Sequence, residues 1–170
     1  MDPRQARTLI AYNTWANSRL RAAAADLTPE AFTAPHAGLS FGSVRGSLVH
    51  VLMAEHTWRR RIADGVSERL PLTEADVPAF ADLHRRWPEE EAALATFVAS
   101  LTAKRLAAQV SYVSTNNAPY RTPLWQILTH VVNHGTQFRS EAAVALTHLG
   151  HSPGDLDFIY FVRGPGSQWS

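Results

Sequence analysis

Two histidines, His130 and His134, stand four positions apart in a segment whose apolar residues repeat at helical spacing. On a helix that interval puts both rings on one face, a turn apart, the spacing at which two imidazoles can bind one divalent ion. His50 lies within another helical stretch, and a facing helix can bring it to the same ion, as metal sites in helical bundles draw ligands from several helices. His50, His134 and His130 are therefore the candidate metal ligands. Gln137 and Glu141 continue the polar strip at helical spacing and offer oxygen donors. The competing reading makes His130 a local hydrogen-bonding group and His134 a satisfied histidine at the core edge.

Of the eight histidines, His56, His84, His148 and His151 read as surface residues. Glu55 stands where an apolar stripe asks for a hydrophobic residue. It can act as a base or orient a ligand histidine, and the reading preferred here is a pairing with an arginine in the core. Tyr12, Asn13, Trp15 and Asn17 make a polar-aromatic stretch read mostly as packing. No Ser-His-Asp motif and no Gly-rich phosphate loop is present. The chain has no cysteine, which excludes disulfides, thiolate metal ligands and a cysteine nucleophile.

The elements that must position these residues follow from periodicity. Asp2 and Pro3 open a helix whose apolar residues Leu9, Tyr12, Ala16, Leu20, Ala23 and Leu27 carry it to about Leu27. Thr28-Pro29-Glu30 caps a short turn, and a Pro, Gly and Ser-rich loop runs to about Gly42. Ser43 caps a second long helix that ends at Gly65. A third spans Phe80 to Leu101, with a kink expected at Pro88. Residues 108–122 alternate and then turn at Asn116-Asn117, which predicts a small β-hairpin or extended loop. The fourth helix runs from about Pro123 to Leu149, with Gly150 as its C-terminal cap. The tail from His151 to Ser170 holds an apolar cluster, expected to pack across the bundle or against a partner subunit.

These elements predict a single all-α domain over residues 1–170, an antiparallel four-helix bundle with a hairpin inserted before the last helix. The chain has 170 residues, 45% of them hydrophobic and 18% charged, at a net charge of +1. Fifteen arginines and one lysine are spread without a basic stripe, so no nucleic-acid partner is expected. No apolar run reaches membrane-spanning length and no signal pattern opens the chain, so a cytoplasmic protein is expected.

The combination of motifs resembles the DinB/YfiT-like superfamily of small metal-binding bundles, unrelated to the polymerase that shares the first name. Tyr12-Asn13-x-Trp15-Ala16-Asn17 on helix one carries the resemblance, as do His50, Glu55, Trp58 and Arg61 on helix two. The stretch HVVNHGTQFRSE over residues 130–141 and the run from Leu149 to Asp157 complete it across nearly the whole chain. The resemblance implies an up-down-down-up bundle, often a homodimer. It implies a site of three histidines, one from helix two and two from helix four, holding zinc or nickel. It also implies chemistry with a low-molecular-weight thiol, of the S-transferase, isomerase or hydrolase type, on a small-molecule substrate. His50 and His134 match the first two ligands of that pattern. The third falls on Phe138, which cannot coordinate a metal, and Arg139-Ser140-Glu141 replaces the usual Arg-Gly-Gln. Two readings follow: a metal-dependent enzyme completed by His130, Gln137 or Glu141, or a non-catalytic member with a degraded site that binds a small molecule or acts as a stress-related dimer.

Overall fold

The computed structural model describes residues 1–67 and 72–169. Residues 68–71, in the long link after the second helix, and the last residue of the tail lie outside the described residues. The chain is mostly helical, with one two-stranded antiparallel sheet. No described helix is long and apolar enough to cross a membrane.

Helix α1, Pro3–Ala24, begins with a reciprocal cap. The Asp2 carboxylate accepts from the Gln5 amide at 2.8 Å, and the Gln5 side chain accepts from the Asp2 amide at 2.9 Å. It ends at Ala24 rather than Leu27, because Pro29 holds Thr28 in an extended conformation and Thr28 caps the short α2, Pro29–Thr33. Ser43 caps α3, Val44–Arg59, accepting from the Gly46 amide at 3.0 Å. Beyond Arg59 the helix widens into a π-type turn over Arg60–Asp64, closed by Gly65 at φ 69°. That widening is absent from the sequence reading.

Helix α4, Phe80–Ala99, continues through Pro88 without a break. After the short α5, Ala103–Ala107, strands β1, Gln109–Val113, and β2, Pro119–Pro123, form the expected hairpin with Tyr112 opposite Tyr120. Helix α6, Leu124–His148, stops at Gly150 in the left-handed conformation. The amides of Gly150 and His151 return to the carbonyls of Thr147 and Leu146 at 3.0 and 2.8 Å, which satisfies two otherwise orphaned acceptors. The tail forms α7, Phe158–Arg163, and packs on its own chain. Tyr12 lies edge-on to Phe158 and Phe161, and its hydroxyl donates to Leu156 O at 2.9 Å.

The four long helices contact one another in pairs: α1 packs on α6 and α4, and α3 packs on α6 and α4. Their apolar faces build two clusters of buried residues. One holds Leu20 of α1, Leu48 and Leu52 of α3, Leu83 and Trp87 of α4, and Leu146 of α6. The other holds Ile10 of α1, Ile62 just beyond α3, Leu94 and Val98 of α4, and Leu124 and Leu128 of α6. Each large apolar side chain buried in this way contributes about 1.5–3 kcal/mol relative to exposure. Between the clusters, the same helices carry buried Asn13, Asn17, Glu55, Glu91 and Arg139.

Candidate functional site

His50 on α3 and His134 on α6 face each other with 4.9 Å between ring centroids. Both nitrogens of His50 and Nε2 of His134 are buried without a hydrogen-bond partner. Burial, then the neighbouring His50 and His130, pulls the His134 pKa down to about 4. Burial also lowers His50, against the opposing charge of Glu141. Both rings are therefore neutral at pH 7, with lone pairs free to accept a proton donor or a cation.

Phenylalanines close the rest of this corner. The Phe41 ring stacks on His50 at 3.8 Å, and the Phe138 ring stands edge-on to His50 at 4.4 Å and tilted to His134 at 4.7 Å. Gly46 makes the Phe41 contact possible, since a Cβ at position 46 would lie 2.2 Å from the Phe41 carbonyl oxygen. Phe41, in a Pro, Gly and Ser-rich loop, escaped the sequence reading because nothing in that loop announces its return to α3.

His130 stands one turn before His134, exposed at the rim. Its ring is 5.5 Å from His134 and edge-on to Trp58 at 5.2 Å. The two oxygen donors expected further along α6 are engaged elsewhere or exposed. Glu141 accepts from the amide and hydroxyl of Ser40 at 2.8 and 2.9 Å, and Gln137 is exposed. Among the described residues no group of three or more His, Cys, Asp or Glu side chains is placed to hold a metal ion. Two facing imidazoles with free nitrogens fit a cation; a complete set of three protein ligands is not assembled.

A family model described as the DinB family matches residues 2–166. The chain belongs to the DinB family. No curated protein matches it.

The DinB-family motif residues divide between the histidine corner and a buried polar layer beside it. Glu55, 1% exposed, accepts from the amides of Asn13 and Asn17 at 2.6 and 2.8 Å and from the Trp87 indole at 2.8 Å. Among the described residues no arginine bonds it directly, which corrects the expected core ion pair. The cations enter through intermediaries. Arg139 donates to the Oδ1 atoms of Asn13 and Asn17 at 2.6 and 3.0 Å, and Arg21 forks onto Glu91 at 2.9 and 3.0 Å. Asn17 also donates to Glu91 at 3.0 Å. Burial, reinforced by Glu91, raises the Glu55 pKa against the hydrogen bonds that favour its charge.

Asn13 and Asn17 are thus hydrogen-bonded hubs rather than packing residues. Gly135 leaves space for the Arg139 head group, since a Cβ there would fall 2.5 Å from Nη1. The sequence signal for this layer was polar residues recurring on the buried stripe of α1 and α3. Glu91 carries no such signal, because it sits in a run of three glutamates of which Glu89 is exposed. His56 also departs from its surface reading: half-buried, it bonds Glu90 at 2.8 Å.

Proposed function

We propose that this DinB-family protein is a small-molecule-binding metalloprotein whose divalent ion, zinc or nickel, is held by His50 and His134. The carrying observation is that these half-buried imidazoles face each other with three buried ring nitrogens unpartnered. A buried acceptor left unsatisfied costs about 1–3 kcal/mol, so the pair favours a ligand that takes its lone pairs. His130 is the nearest further imidazole, and the remaining positions fall to water or to the bound molecule. When bound, such an ion supplies Lewis-acid chemistry, lowering the pKa of a coordinated water or of a low-molecular-weight thiol. The chain has no cysteine, so any thiol arrives with the substrate or as a cofactor of an S-transferase, isomerase or hydrolase reaction.

The placement of both ligands agrees with an up-down-down-up four-helix bundle. Early residues of α1 and α6 join one apolar cluster and late residues the other, while α3 and α4 run the opposite way. A homodimer is the assembly we infer, supported by the exposed apolar side chains of Phe158, Ile159 and Tyr160.

The test is elemental mass spectrometry on protein purified without a histidine tag. About one ion per chain is expected at a two-ligand site completed by exogenous donors, falling sharply in His50→Ala and His134→Ala. Full occupancy that survives both substitutions removes the proposal.

A second reading rests on Phe138 and Phe41, whose rings cover His50. In it the corner is an apolar-walled binding pocket without metal, in a non-catalytic member. Metal-free protein whose thermal unfolding is unchanged by chelation supports that reading.

A further inference from the structure

His50 and His134 border a cavity of about 420 Å³ between α3 and the hairpin, with Trp58, Arg61, Tyr112 and Tyr120 in its wall. Arg61 is only 5% exposed. Its Nε has no hydrogen-bond partner, and no carboxylate pairs with its guanidinium among the described residues. It lies instead against two aromatic faces, 4.7 Å from the Trp58 ring centroid and 5.5 Å from that of Tyr112. The other buried arginines differ: Arg21 forks onto Glu91, and Arg139 is bonded to Asn13 and Asn17. Arg61 belongs to the π-type turn at the end of α3, a geometry that recurs at functional sites.

We propose that Arg61 is the anion-recognition residue of this cavity and that the cavity takes a small carboxylate, its acid end paired with the guanidinium. A buried guanidinium is costly without a counter-charge, and aromatic faces offset only part of that cost. A carboxylate matches the planar fork with two parallel hydrogen bonds. Among the described residues Arg61 is the only Arg, Lys, Asp or Glu in the wall, so there one positive charge meets one negative charge and no described carboxylate repels it. In the metal-free protein a phosphate, with a second charge, finds no second cation among the described wall residues. The volume suits a ligand of metabolite size. The proposal names the ligand class of the His50–His134 pocket and takes its location from the reading above, but it does not require the ion.

The experiment titrates the full chain, as purified and again after chelation, with acetate, benzoate and 3-phenylpropionate and with the amide of each. Binding is read from tryptophan fluorescence and from the Arg61 Nε–Hε signal in NMR. At least one carboxylate is expected to saturate, roughly tenfold tighter than its amide, and to shift that signal. Arg61→Gln is expected to abolish the preference and Arg61→Lys to restore part of it. The wild-type comparison stands alone if Arg61→Gln fails to fold. Equal affinity for acids and amides, no saturable carboxylate, or tighter binding of inorganic phosphate overturns the proposal. Because the chelated arm contains no metal, an acid preference there with no metal uptake separates failure of the metal reading from failure of this one.

Discussion

The ring of Phe138 stands edge-on to the ring of His50, 74° between planes and 4.4 Å between centroids, one helical turn beyond His134. It therefore occupies the corner in which a third imidazole from α6 would meet the other two. Phe138→His is expected to hold about one ion per chain, and to bind it more tightly than wild type, because three histidine ligands make a zinc site. Elemental analysis with zinc titration checks this. A folded variant that binds zinc no more tightly than wild type would show that the two rings are not poised for an ion.

Arg139 is expected to be the costliest residue of the polar layer to remove. Arg139→Met removes the cation bonded to Asn13 and Asn17 and leaves Arg21, on Glu91, as the remaining described cation of the layer, and should destabilise by about 3–5 kcal/mol. Adding Glu55→Gln removes one of the two negative charges while keeping an oxygen acceptor for the asparagines. The double variant should regain part of the loss, a non-additivity expected for coupled groups. Urea unfolding of both variants measures it, and strict additivity would refute the coupling.

Acid stability should depend on Glu90. Burial pushes its pKa up, but the hydrogen bonds and charges of His56 and Arg59 outweigh burial and hold it below the ordinary glutamate range. A carboxylate depressed in the folded state contributes stability above its unfolded pKa and loses it as pH falls through the folded value. Glu55, raised by burial, acts in the opposite sense and is common to both proteins compared. The melting temperature of Glu90→Gln should fall less than that of wild type between about pH 5 and pH 3. Parallel curves would contradict the assignment.

Four of the helix boundaries were legible because their signals are local, whereas the end of α1 at Ala24 was not. Asp2 with Pro3, Ser43, Gly65 and Gly150 each act within a turn of their own position. His50 and His134 were legible from residue type and helical placement. Phe41, Glu91 and Arg139 were not, because their roles come from contacts between segments far apart in the chain. Arg61 was quoted as a motif residue, yet its isolation from every described carboxylate emerges only when the hairpin and the widened turn are in place.

The reach of Arg139 to Asn13 spans 126 positions of the chain. A growing polypeptide emerges N-terminus first. By the time α1, α3 and α4 have left the ribosome, Glu55 and Glu91 are present with Arg21, while the second cation of their layer has yet to be made. A nascent chain stopped before α6 therefore lacks one of the layer's two described cations and leaves the faces of α1 and α3 that α6 covers open to water. Completion of the last long helix, rather than gradual accretion along the sequence, becomes the event that commits this domain to its fold.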